Sequence, residues 1–111
     1  MSCTGTGEVF IRTAAAYDVS ARLRYCSYPA KSHDTADESS TAAKVHKSKP
    51  CNNAVSAMTD VLNQIDVLGG SGGIIAVCAN GDHALAFNTE GMYRGLVGSD
   101  IPLQTAVYED E

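Results

Sequence analysis

Several features that would assign a function at once are missing from this sequence of 111 residues. No apolar run approaches the roughly 20 residues that a membrane-spanning helix needs, and residues 74–79 form one of the longest runs. The formal net charge is -5, and no basic stripe is present that would follow a phosphate backbone. The sequence therefore predicts neither a membrane partner nor a nucleic-acid partner.

Metal-binding and secretory signals are also missing. Met1 is followed by a polar run without a charged or an apolar leader region, which predicts a cytoplasmic protein. The four cysteines permit two disulfides, but they are widely scattered and form no CxxC motif: Cys3, Cys26, Cys51 and Cys78. Two of them lie in strand-like apolar contexts typical of free buried thiols, and the three histidines lack metal-ligand spacing. We expect free thiols, no metal and no cofactor.

Hydrophobic periodicity predicts two helices. Over residues 8–25, Phe10, Ala14 and Tyr17 recur at three- and four-residue steps, and Thr6 is a suitable N-cap. The second helix is indicated by four apolar residues at helical spacing: Val55, Met58, Leu62 and Ile65. It should end at the glycine-rich run 69–73.

Residues 26–53 separate the two helices and have a different composition. This segment is rich in Ser, Thr, Lys and Asp and has almost no large aliphatic residues, too few to offset the entropy of ordering it. The composition predicts a mobile loop within a single region spanning residues 1–111.

The second half of the chain predicts strands. Residues 74–78 are apolar on both faces, as in a strand covered by other layers on each side. Asn80-Gly81 is a strong hairpin signal, and residues 83–87 supply the returning strand. In the remainder only residues 104–108 have strand character. Two strands are marginal alone and the first strand would have an unpaired edge, so an α+β piece with missing neighbours is expected.

Residues 2–8, Ser-Cys-Thr-Gly-Thr-Gly-Glu, place small residues and hydroxyls between a strand end and a helix start. Backbone N–H groups at such a turn favour negative charge, so it can hold an oxyanion or a carboxylate. Alternatively, the glycines only let the strand and helix pack closely. The pair Gly5 and Gly7 lacks the third glycine of a dinucleotide fingerprint, which argues against a dinucleotide site.

Three motifs follow one another in the order of a known family. Residues 2–18, the strand and Asn-Gly turn of 72–82, and Ala-Phe-Asn-Thr-Glu-Gly-Met-Tyr-Arg at 86–94 resemble the β subunit of plant-type L-asparaginases and isoaspartyl peptidases. These are N-terminal-nucleophile threonine hydrolases. The resemblance implies part of an amidohydrolase acting on L-asparagine and β-aspartyl peptides. It also implies an α+β fold, a partial αββα sandwich that is incomplete without the upstream half. The polar segment at 26–53 is longer than the family's usual connection between two helices, so relative to the family it is a mobile polar insertion. A retained intron, a lineage-specific insertion or an incorrect gene model would each produce it.

The resemblance also implies roles for individual residues. The Thr4 hydroxyl and the Gly5 N–H would form the oxyanion hole, and Gly7 would line the substrate pocket. The family's N-terminal threonine nucleophile and its substrate-anchoring Arg and Asp lie upstream of the first residue here, so the isolated chain is expected to be inactive. Residues 88–91 resemble a structural turn, with Thr89 and Gly91 as neighbours of the site.

The implied partners are a small-molecule or dipeptide substrate and an α-subunit-like upstream half or a homologous chain, in an oligomer. The alternative is a non-catalytic interaction or scaffold module that is derived from the same family. Such a module would pair through its exposed strand edge.

Overall fold

The computed structural model describes residues 1–26, 44–45 and 52–109. Their elements follow in the order β1 (Ser2–Gly5), α1 (Gly7–Arg12), α2 (Ala15–Tyr25), β2 (Lys44–Val45), α3 (Asn52–Val67), β3 (Gly72–Val77), β4 (His83–Phe87), β5 (Gly91–Gly98) and β6 (Ile101–Tyr108). Helices and antiparallel strands together confirm the α+β class. None of the helices in these ranges has the length and apolar character needed to cross a bilayer.

The described elements form three layers. Strands β1, β3, β4 and β2 lie in that order in an antiparallel sheet, and β5 and β6 form a separate two-stranded sheet. The helices cover one face of the larger sheet, where their apolar residues share a core with Ile74, Ala76, Ala84 and Ala86. On the opposite face, Phe87 packs with Leu85 and with Met92 of β5. The helix layer, the large sheet and the small sheet are therefore stacked in this order.

Helix α3 supplies most of the helix-side core. Met58, Leu62 and Ile65 have no exposed surface, and Val55 packs against the same cluster at its edge. The apolar stripe predicted from the sequence is confirmed. Burying such side chains contributes about 1.5–3 kcal/mol each, so α3 is the main anchor of the sheet.

The single helix predicted over residues 8–25 is wrong. The backbone leaves the helical conformation at Ala14, whose φ of 47° is left-handed, and the chain continues as two helices. Thr13 precedes the break, and both its N–H and its hydroxyl donate to the Val9 carbonyl, at 3.0 and 2.9 Å. The break changes the phase of the apolar stripe, so Val19 is buried and Tyr17 is exposed.

Strand β3 is covered by the described residues on one face more than on the other. Ile74 is fully buried under the helices, whereas its neighbour Ile75 is 46% exposed and Val77 is 76% exposed. The sequence predicted cover on both faces. Successive side chains of a strand point to opposite faces, so the open side is the one turned towards the small sheet.

Strand β5 was missed in the sequence. Its glycines, Gly91, Gly95 and Gly98, weaken the strand signal because glycine has low β propensity. In the folded chain its side chains alternate, since Met92 and Arg94 are buried and Tyr93 between them is exposed, but a buried arginine does not register as an apolar position in the sequence. Strand β6 begins earlier than predicted and includes a proline, which an edge strand tolerates.

The hairpin predicted at Asn80-Gly81 is confirmed. Gly81 has φ of 87°, the Cys78 N–H donates to the Asp82 carbonyl at 2.7 Å, and β3 pairs with β4 directly. The Asn80 side chain bonds Asp82 twice, through the Asp82 N–H and through its carboxylate. Local turn chemistry therefore sets the register of the two central strands.

The predicted insertion at 26–53 lies mostly outside the described residues. Within it, Lys44 pairs with Phe87 and Val45 with Ala86, which makes β2 an edge of the large sheet. Helix α3 begins at Asn52, so the last residues of the predicted segment are helical. The mobility of 27–43 and 46–51 stays a prediction, as do the domain boundaries and the cytoplasmic location.

Candidate active site

The turn between β1 and α1 is tied to the start of β3. The Thr6 N–H donates to the Ser71 carbonyl at 2.9 Å, and the Ser71 N–H donates to the Thr6 hydroxyl at 3.2 Å. Thr6 is the N-cap residue, as predicted, but its hydroxyl bonds across to Ser71 and makes no capping bond to α1. Thr4, Gly5 and Gly7 are held on either side of this anchored residue.

Gly5 lies directly opposite Gly72 in the β1–β3 ladder. A Cβ atom on Gly5 would overlap the Ser71 carbonyl and the Gly72 Cα, and the φ of Gly5 is +130°, a conformation that side chains disfavour. The packing therefore requires glycine at this position, in agreement with the close-packing alternative considered for the motif.

The pairing pattern also orients the Gly5 peptide. Because Thr6 bonds Ser71 across the ladder, the alternation of antiparallel hydrogen bonding makes Gly5–Gly72 a non-hydrogen-bonded pair. The Gly5 N–H is thereby directed away from β3. It faces the outer edge of β1, which has no neighbouring strand among the described residues. An outward N–H of this kind is available to a group that approaches the edge.

Gly7 has a different environment. It begins α1, it is exposed, and a Cβ atom placed on it would meet nothing within 4 Å. Packing within the described chain does not explain a glycine here. Since α1 has only six residues, the dipole contribution expected from a helix over 8–25 is correspondingly weak.

The third sequence motif, residues 86–94, contacts the second motif, residues 72–82, at Gly72. The Asn88 N–H donates to the Gly72 carbonyl at 3.0 Å, and the Gly72 N–H donates to the Asn88 Oδ1 at 2.7 Å. The Thr89 hydroxyl donates to the Gly91 carbonyl at 2.7 Å and so closes the turn before β5. Residues 88–91 therefore form a structural turn. Its first residue, Asn88, is hydrogen-bonded to Gly72, the residue of β3 that pairs with Gly5.

Arg94 was not predicted as a special residue, yet it is one of the few buried polar side chains described. Its guanidinium lies 5.4 Å from the centre of the Phe87 ring and donates to the carbonyls of Val107 and Tyr108 at 3.1 and 2.8 Å. Arg94 therefore fastens β6 to β5 and both to the end of β4. The residue pattern alone does not mark Arg94 as buried, because charged side chains are almost never fully buried unless they are paired.

A cavity of about 330 Å³ lies between the two sheets. Its lining is mostly apolar and includes Ile75, Val77, Leu85, Leu96 and Arg94. Met1 and Ser2 lie at the same cavity, so the start of β1 reaches the open side of the large sheet. The cavity and the exposed apolar side chains belong to one incompletely filled space.

Cys3, the residue before Thr4, carries a thiol whose reactivity depends on its protonation state. Cys3, Cys26 and Cys78 carry free thiols. Burial raises the pKa of the Cys3 thiol, and the N-terminal ammonium opposes this rise only in part. Cys3 therefore stays a protonated thiol beside Thr4 and is not an activated nucleophile. No group of three His, Cys, Asp or Glu side chains in the described ranges is arranged to hold a metal ion.

Comparison with known proteins identifies relatives over nearly the whole chain. An isoaspartyl peptidase of Salmonella typhimurium is 40% identical, with 99% of this chain and 28% of the relative covered. An isoaspartyl peptidase of Escherichia coli is 39% identical, with coverage of 100% and 27%. A putative isoaspartyl peptidase/L-asparaginase of Dictyostelium discoideum is 35% identical, with coverage of 87% and 21%. No model of a protein family matches the chain. The chain thus spans about a quarter of the length of these relatives.

Proposed function

We propose, because this chain is a relative of the isoaspartyl peptidases and L-asparaginases, that it is part of an amidohydrolase acting on L-asparagine and β-aspartyl peptides. The chain would supply the oxyanion-binding turn. The threonine nucleophile would come from the upstream polypeptide, which the longer relatives have room to contain.

The observation that carries this proposal is the orientation of the Gly5 peptide. Its N–H faces the outer edge of β1, and the exposed Thr4 hydroxyl is on the adjacent residue. Two donors next to each other, fixed by the strand pairing, would stabilise the negative charge of a tetrahedral intermediate. The Ser71–Thr6 bonds would keep them in place without reorganisation during the reaction.

We assign Gly7 to the substrate pocket because the space beside it is empty. A glycine at an open position leaves room for the α-amino and carboxylate groups that asparagine and β-aspartyl substrates share. Within the described chain the position has no steric requirement for glycine, and this supports a requirement set by a ligand.

For the architecture, we propose that the three layers belong to an αββα sandwich of the N-terminal-nucleophile type. The upstream half would fill the cavity between the sheets and cover Ile75 and Val77. Residues 1–111 would form one region, with an insertion at 26–53. The assembled enzyme would be an oligomer of these halves.

The alternative function, a non-catalytic module that pairs through the edge of β1, is less favoured. The relatives named above are enzymes by their names, and no separate observation supports a scaffold role.

The test compares the isolated chain with the same chain supplied with the upstream half of a relative. The isolated chain should release neither aspartate nor ammonia from L-asparagine or β-aspartyl dipeptides above background, since it lacks the nucleophile. The complemented protein should cleave itself and hydrolyse both substrate classes. Turnover by the isolated chain that scales with its concentration, after removal of host asparaginase, would contradict the proposal.

In the complemented protein, Thr4→Val should lower kcat by about 10²–10³-fold, because one oxyanion donor is removed while the side-chain volume is kept. Thr105→Val, on an exposed site of β6, is the matched control and should leave kcat within about twofold. Equal rates for the two variants would exclude Thr4 as an oxyanion donor.

A further inference from the structure

We propose, on the basis of the function above, that Asn88 is a positioning residue for the oxyanion-binding turn. Asn88 holds both peptide groups of Gly72, and Gly72 in turn supports the Gly5 backbone. In this proposal Asn88 does not touch the substrate. It acts through Gly72 of β3, which contacts both Asn88 and Gly5.

The first step is that both backbone polar groups of Gly72 are hydrogen-bonded to the same residue, Asn88. Its carbonyl accepts from the Asn88 N–H at 3.0 Å and its N–H donates to Asn88 Oδ1 at 2.7 Å. The last regular pair of the β3–β4 ladder is Gly73 with Phe87, so the Asn88 side chain extends the ladder by one position. Without Oδ1, the Gly72 N–H would lose its acceptor at the end of the sheet.

The second step is the contact between Gly72 and Gly5. The two residues face each other with no side chain between them, and a Cβ atom on either one would overlap the backbone of the other strand. Protein interiors at this packing density transmit displacement directly. A shift of Gly72 therefore moves the Gly5 peptide, whose N–H is the proposed donor.

The third step is the rigid support of Asn88 itself. The preceding Phe87 is almost fully buried, and its ring lies under the Arg94 guanidinium. The Asn88 Nδ2 is buried without a hydrogen-bond partner among the described residues, so the side chain acts through Oδ1. Aspartate offers the same acceptor oxygen without the Nδ2 donor, which makes it the informative conservative replacement.

The first arm of the test uses the 111-residue chain and amide hydrogen exchange. Asn88→Ala should accelerate exchange of the Gly72 amide by about tenfold, and that of the Thr6 amide by a smaller factor, because the support of the turn is weakened. Asn88→Asp should keep both amides near their original rates. Asn80→Ala is the matched control: its Oδ1 accepts the Asp82 N–H at the other end of the same strand pair, at 3.1 Å. Unchanged Gly72 and Thr6 exchange in folded Asn88→Ala would overturn the proposal.

The second arm uses the protein complemented with the upstream half. Asn88→Ala should lower kcat by about 10–100-fold with KM within about threefold, because a small misplacement of a catalytic group costs turnover. Asn88→Asp should recover part of this loss, and Asn80→Ala should show none. Equal kcat for Asn88→Ala and Asn80→Ala would overturn the proposal. If the unaltered complemented protein is inactive, the proposed function fails, while the exchange arm still decides whether Asn88 positions the turn.

Discussion

The two faces of the large sheet differ in how completely this chain covers them. On the helix face, Ile74 lies in a closed core with side chains of all three helices. On the other face, the buried cluster consists of Leu85, Phe87 and Met92, and Ile75 remains half exposed beside a cavity. Strand β3 thus contributes to a closed core on one face and to an incompletely filled space on the other. The comparison separates what stabilises the chain alone from what an added polypeptide would complete.

The largest expected difference is between two neighbouring isoleucines on opposite faces. Ile74→Ala should lower the free energy of unfolding by about 2–5 kcal/mol, because it leaves a cavity in a closed core. Ile75→Ala should cost less than about 1 kcal/mol, since that side chain is already partly in water. Urea titrations followed by circular dichroism measure both values.

Similar losses for the two variants would mean that the outer face is closed in the isolated chain. Adding the upstream half should reduce the difference between the two variants. The cost of Ile75→Ala should then rise towards that of Ile74→Ala, because the outer face becomes buried.

An intermediate effect is expected at the break between α1 and α2. Ala14→Gly should raise the free energy of unfolding by about 0.5–1 kcal/mol, because glycine adopts the left-handed φ of 47° without the cost that alanine carries. Ala21→Gly, inside α2, is the control and should lower it by about 0.5–1 kcal/mol. A loss of stability in both variants would show that position 14 is helical in solution.

The smallest effect concerns thiol reactivity. Iodoacetamide at pH 8 should label exposed Cys26 about tenfold faster than Cys3, whose pKa is raised by burial, and denaturant should remove the difference. Peptide mapping of the labelled protein measures both sites. Near the ordinary thiol pKa the folded state holds more protons at Cys3 than the unfolded state, so this contribution to stability decreases as pH rises. Equal labelling rates in the folded protein would place Cys3 in open solvent.

The elements that the sequence predicted well are those set by local chemistry. Helix α3 follows from a continuous apolar stripe, and the β3–β4 hairpin follows from its Asn-Gly turn. The break at Ala14 was not predictable from periodicity, because alanine favours helix and only the packing of α2 on α3 requires a change of phase. Strand β5 was missed because its glycines conceal an alternation that becomes clear once Met92 and Arg94 are known to be buried.

For the candidate site, the sequence predicted the position of Thr4, Gly5 and Gly7 between a strand and a helix. Two features depend on strand register and could not be predicted from the sequence. One is the outward orientation of the Gly5 N–H, and the other is the contact of Asn88 with Gly72. A motif indicates which residues matter, whereas the pairing of distant strands determines which way their backbone groups face.

The pairing of β1 with β3 has a consequence for the order of folding events. Ser2 pairs with Ile75, so this contact closes a loop that contains both long helices, whereas the β3–β4 hairpin closes across a single turn. Hairpins form in about 1–10 μs, while distant pairings must first overcome loop-closure entropy. The hairpin should therefore precede the arrival of β1, and the Thr4–Gly5 turn should be among the last parts of the chain to acquire its native geometry. A nascent chain would thus form the β3–β4 hairpin before the Thr4–Gly5 turn, the proposed oxyanion site, was in place.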